Sequence, residues 1–142
     1  MGVIGDVIQA LGGPGLVPAR SAAELRDALR AGLPYASLSA VASGFAIEAP
    51  TVAAILGIPP RTLARRKKER RLSPEESDRL FRLGRLAALA QDVLGTRAKA
   101  SAWLHADNRS LGGATPLSRL DTDLGAEEVE SVLLRLSHGV VG

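Results

Sequence analysis

The sequence has no cysteine, one tryptophan, one tyrosine, two phenylalanines and two histidines among its 142 residues. The missing cysteine excludes disulfides and thiolate metal sites. His105 and His138 fall in separate segments without zinc spacing, and each reads as a helix-end residue. With aromatics at 3% of the chain, a core must come from Ala, Leu, Val and Ile, a mixture that favours helices over strands. No apolar run approaches the roughly 18 to 20 residues that span a bilayer. The opening "MGVIGDVIQALGG" lacks a basic leader and carries Asp6, so it is a poor signal peptide, and Gly2 lacks the context for myristoylation. Catalytic constellations are missing too. Asp121 and Asp123 read as a capping turn, and Trp103 reads as a core residue. "LGGATP" lacks the lysine and the strand-to-helix setting of a phosphate loop. The expectation is a cytoplasmic protein, not membrane-bound, that is no enzyme and has no catalytic residue, metal or cofactor.

Hydrophobic residues make up 46% of the chain and charged residues 23%, enough to fold a core. The net charge of +3 is unevenly spread. Residues 61–85 hold ten basic residues against four acids, whereas residues 107–142 hold three against six. Two differently charged faces suit two partners, a polyanion and a protein. Ordinary solvated helices of uneven charge are the simpler alternative.

Capping signals and apolar spacing predict an all-α fold of roughly six to eight helices. Residues 1–20, rich in Gly and Pro, read as a flexible lead-in. A helical region with a helix-turn-helix fills 21–72, and a second helical domain fills 73–142. Ser21 with Glu24 and Ser73 with Glu76 have capping-box spacing. Pro74 stands at the first position of a long helix holding Leu80, Leu83, Leu86, Leu89 and Val93 at helical spacing. Thr96 caps the next segment. Turn signals then fill "HADNRSLGGATPLSRLDTDLG", and a final helix carries Val129, Val132, Leu133 and Leu136 on its apolar face.

The segment "APTVAAILGIPPRTLARRKKERR" has helix-turn-helix spacing. Ala53 is small enough for a close crossing, Gly57 suits the turn, and Leu63 locks the second helix. In that register Arg61, Arg65 and Lys68 form a stripe opposite Leu63 that can face a major groove, with Thr62 on the same helix. Arg66, Lys67 and Arg70 lie to the sides, suited to phosphates. A helix pair used only for packing or dimerisation remains the competing reading.

From Leu72 onward the chain resembles the toxin-binding region of Xre/MbcA/ParS-type antitoxins, and the helix-turn-helix resembles the Xre-like domain that precedes it. The resemblance rests on Glu76-Ser77-Asp78-Arg79, Trp103-Leu104, Asn108, Leu111-Gly112-Gly113, Thr115-Pro116, Leu120-Asp121-Thr122 and Gly125, in that order. It covers about residues 45–142, with His105-Ala106-Asp107 standing where the family often has a proline. It implies a type II antitoxin that covers the active site of a RES-domain, NAD-degrading toxin. It also implies autorepression through operator DNA, a homodimer and a hetero-oligomer with the toxin. Under it, Asn108, Leu111, Gly112, Gly113, Thr115, Pro116, Val129, Leu133 and the tail Ser137, His138, Gly139, Val140, Val141 and Gly142 are expected to grip the toxin. A transcriptional repressor without a toxin partner is the alternative, and a protein whose helix-turn-helix only dimerises is a third.

Overall fold

Four helices begin where a Ser or Thr oxygen accepts the backbone N–H three residues on. The caps are Ser21 to Glu24 (3.1 Å), Ser73 to Glu76 (3.1 Å), Thr96 to Lys99 (3.1 Å) and Thr122 to Gly125 (3.0 Å). Each such cap is worth about 1 kcal/mol. The computed structural model describes residues 2–139, so the expectations for Val140, Val141 and Gly142 fall outside the described residues. Those residues form α1 (Val3–Ala10), α2 (Ala22–Ala31), α3 (Tyr35–Gly44), α4 (Ala49–Ile55), α5 (Pro60–Glu69), α6 (Pro74–Leu94), α7 (Arg97–His105) and α8 (Asp123–Ser137). Single 3-10 turns occur at Arg109–Leu111 and Leu117–Arg119. Among the described residues there is no strand, only an isolated antiparallel bridge between Pro34 and Arg71. The fold class is all-α, as composition and capping predict.

The chain divides into two compact units, 1–85 and 86–142, so the division falls inside α6 and past the expected boundary at residue 72. Ser73 starts a helix but not a domain. The opening turns of α6 belong to the first unit, where Ser77, Leu80 and Leu83 are buried.

The first twenty residues also differ from expectation. They carry α1, and Val7, Ile8, Leu11 and Val17 are buried in the first unit. The helical spacing of Ile4, Val7, Ile8 and Leu11 is the signal that a glycine-rich composition obscured. At Gly84 a β-carbon would sit 3.2 Å from Leu11 Cδ2, so the bare backbone of α6 admits this leucine.

A second set of contacts fixes the start of α6 against the end of α2. Leu33 N donates to Ser77 Oγ (2.7 Å), and Ser77 Oγ donates to the Ser73 carbonyl (2.7 Å). Tyr35 N donates to the Arg70 carbonyl (3.1 Å) and Leu72 N to the Leu33 carbonyl (2.9 Å). Arg71 Nη1 donates to the Gly32 carbonyl at 2.6 Å. The second unit, by itself, closes over Leu104, Leu111, Leu120, Val129 and Leu133.

Candidate functional site

The helix-turn-helix forms where the spacing places it. Ala53, Val52, Leu56 and Ile58 are buried, and Gly57 takes φ +72° in the turn. The turn closes through Ile58 N donating to the Ala53 carbonyl at 2.8 Å. Pro59 and Pro60 start α5 without a side-chain cap. Leu63 is half-buried rather than locked in, and no residue of α5 is fully buried.

Arg61, Arg65, Lys67, Lys68 and Arg70 are exposed, and Thr62 is half-buried. The stripe of Arg61, Arg65 and Lys68 therefore faces solvent, with donors matched in kind to guanine edges and phosphates. Arg66 has another task. Its Nε donates to Glu76 Oε1 at 2.7 Å, its Nη1 lies 3.3 Å from Glu69 Oε1, and the side chain keeps 19% of its exposure. With Nε and Nη1 engaged by two carboxylates, Arg66 has fewer donors left for phosphate than its exposed neighbours. Arg70 ends α5 in the left-handed region (φ +64°), with its carbonyl held by Tyr35 N.

The family-like run Glu76-Ser77-Asp78-Arg79 is largely structural. Glu76 Oε1 accepts Ser73 N (2.8 Å) as well as Arg66 Nε, which completes the capping box. Burial alone would raise the Glu76 carboxyl's pKa. The hydrogen bond from Arg66, with that from Ser73 and the positive charge of Arg66, outweighs burial and holds it below the usual carboxylate range. Arg79 Nη1 donates to the Leu56 carbonyl at 3.1 Å, pinning the end of α4.

In the second unit the Asn108 loop is held from within. Asn108 Oδ1 accepts Ser110 N (2.9 Å), and Asn108 N donates to the Ala114 carbonyl (3.0 Å). Gly112 and Gly113 follow with φ +67° and +91°, both exposed. Thr115 is half-buried and caps Ser118 N at 3.2 Å. Arg119 Nη2 donates to the Leu111 carbonyl (3.0 Å), tying the loop to the turn before α8.

Four of the expected contact residues point inward. Val129 and Leu133 have no exposure, and Leu111 and Pro116 are buried, so these serve the core. The structure exposes different apolar side chains on α8: Leu124 at 70%, Leu134 at 43% and Leu136 at 36%. From Leu134 to Gly139 every residue is exposed, including Ser137 and His138. Periodicity assigned Leu136 to the buried face, but the core stops at Leu133, a limit that spacing does not encode. Trp103, expected in the core, is half-buried.

Among the described residues no group of His, Asp and Glu could hold a metal ion, and no single helix is long and apolar enough to cross a membrane.

Comparison with known proteins assigns a family to each half. The antitoxin Xre-like helix-turn-helix domain matches residues 24–85, and the antitoxin Xre/MbcA/ParS C-terminal toxin-binding domain matches residues 89–139. The two matches meet where the structural units divide. A protein named antitoxin Xre from Yersinia enterocolitica is 33% identical over 126 residues, which are 87% of this chain and 85% of that protein. Its namesake in Photorhabdus laumondii is 32% identical over 126 residues, with the same coverage. An antitoxin Xre from Pseudomonas putida is 40% identical over 83 residues, 58% of this chain and about half (52%) of that protein's length.

Proposed function

The chain belongs to the Xre antitoxin family, with an Xre-like helix-turn-helix domain and an Xre/MbcA/ParS toxin-binding domain, and from that premise we propose that it neutralises a RES-domain, NAD-degrading toxin in the cytoplasm. It covers the toxin's active site with its second unit, assembles as a homodimer, and represses its own operon through α5. The observation that carries the neutralising role is the last turn of α8. It leaves the core entirely and shows solvent two leucines, Leu134 and Leu136. The two leucines, two residues apart, project to different sides of the helix end, so a partner enclosing that end would bury both. In this reading the Gly112–Gly113 turn, Asn108, Thr115 and the exposed Ser137–Gly139 end also meet the toxin. Leu111, Pro116, Val129 and Leu133 are buried and hold the core of the second unit instead.

Co-expression with a RES-domain toxin tests this. The wild-type chain should restore growth and cellular NAD and should co-purify with the toxin. Leu134→Asp with Leu136→Asp should weaken the complex by at least about a hundredfold, since two desolvated apolar anchors are replaced by charge. Neutralisation unchanged by that pair would remove α8 from the contact. Rescue that survives deletion of residues 137–142 would confine the contact to residues before them.

For DNA, Arg61→Ala with Arg65→Ala should lower affinity for the fragment upstream of the gene by about ten- to a hundredfold, and affinity for shuffled DNA by less. Equal losses on both fragments, read by titration at fixed salt, would restrict these residues to phosphate contacts. A repressor without a toxin partner leaves the toxin-binding domain at residues 89–139 without a purpose.

A further inference from the structure

The helix carrying the basic stripe is weakly anchored. α5 is ten residues long, has no fully buried residue and starts without a side-chain cap. In isolation a helix of that length is marginal, and the crowding of Arg65, Arg66, Lys67 and Lys68 adds like-charge repulsion along it. Its orientation therefore depends on a few specific contacts.

One of them stands out by chemistry. Arg66 Nε and Ser73 N converge on a single oxygen, Glu76 Oε1, at 2.7 and 2.8 Å. Glu76 belongs to the first turn of α6; beside it Ser77 Oγ accepts Leu33 N, and in the next turn Arg79 donates to the Leu56 carbonyl. The start of α6 thus holds both helices of the helix-turn-helix, α4 through Arg79 and α5 through Arg66.

We propose that Glu76 is a positioning residue for DNA recognition: through Arg66 it fixes the rotation and tilt of α5, so that Arg61, Arg65 and Lys68 meet base edges in register. The proposal rests on the reading of α5 as the recognition helix. A pair that sets helix orientation governs discrimination between sequences, whereas the exposed cations govern affinity for any duplex.

Removing an acid beside a basic helix predicts opposite results under the two possible roles. Were Glu76 merely a nearby negative charge, Glu76→Gln would tighten binding to all DNA by reducing repulsion and releasing Arg66 to phosphate. As a positioning residue, its replacement lowers discrimination. Gln is also accepted at this position of a capping box, so the helix start survives.

The probes are the duplex immediately upstream of the gene and a shuffled duplex of equal length. Both are titrated at a temperature where far-UV circular dichroism shows each variant fully folded. Glu76→Gln and Arg66→Gln should each reduce the ratio of upstream to shuffled affinity by about tenfold, mainly by weakening the upstream complex. Arg66→Lys, which keeps the charge but loses the Nε donor, should not restore the ratio. A ratio unchanged in Glu76→Gln, or tighter binding to both duplexes, overturns the positioning role while leaving α5 as the reading helix. A wild-type chain that fails to prefer the upstream duplex overturns the DNA reading itself, and the positioning role with it.

Discussion

Gly125→Ala should destabilise the second unit by about 3 kcal/mol or more, among the larger effects a single methyl group can have. Gly125 lies in the first turn of α8, buried, where a β-carbon would overlap the Arg119 carbonyl oxygen. It would also stand 2.8 Å from the Arg119 carbonyl carbon and 3.1 Å from Thr122 Oγ1. The obstacle is backbone, so no rotamer change relieves it. Either α8 moves away or the Leu117–Arg119 turn shifts. The second course pulls on Arg119, whose guanidinium holds the Leu111 carbonyl and lies 3.8 Å from Glu128. Both courses disturb the Thr122 cap. Gly112→Ala is the matched control: it has φ +67° but nothing within 4 Å of the new methyl, so it should cost only about 1 kcal/mol. Urea unfolding followed by Trp103 fluorescence reads both variants. Equal midpoints would mean that the approach to Arg119 is not tight.

The second large effect concerns acid. Glu76→Ala removes the acceptor of both Arg66 Nε and Ser73 N, at a carboxylate whose side chain keeps only 10% of its exposure. A partly buried guanidinium is left with Glu69, the more exposed partner, and the helix start loses half of its box. The expected cost is about 2 to 3 kcal/mol, placed below the range for fully buried pairs because Arg66 retains some solvent. The same pair sets a pH dependence. The folded state holds the Glu76 carboxyl's pKa below its unfolded value, so its stabilisation is complete above the unfolded pKa, about 4.3 for glutamate. It is lost as pH falls from there through the folded pKa. Thermal unfolding from neutral pH into that acid window should show the wild type losing stability that Glu76→Ala does not have to lose. Parallel curves for the two proteins would detach Glu76 from acid sensitivity.

Where one side chain meets a backbone group a few residues away, the chain announces its structure. Ser21, Ser73 and Thr96 cap the helices that their spacing predicts, and Gly57 makes the turn that Ala53 and Leu63 demand. One box is shifted in detail: Glu24 reaches Arg20 N rather than that of Ser21. The Thr122 cap follows the same pattern and was hidden between two aspartates that looked like the capping residues. The helix within the glycine-rich first twenty residues is hidden for a related reason. Local glycine content outweighed four apolar residues whose value depends on a distant surface, including the bare backbone at Gly84.

The sequence by itself determined an all-α chain, the helix-turn-helix and its exposed cationic stripe. Those features rest on interactions within one helix or one turn, where spacing is geometry. Tertiary structure alone decided that Arg66 pairs with Glu76, and that α6 begins inside the first unit. It also decided that Val129 and Leu133 face the core while Leu134 and Leu136 face solvent. Each of these depends on which distant segment occupies the space beside a side chain. A partner ten residues away for Arg66, or the edge of a core beyond Leu133, leaves no periodic trace along the chain.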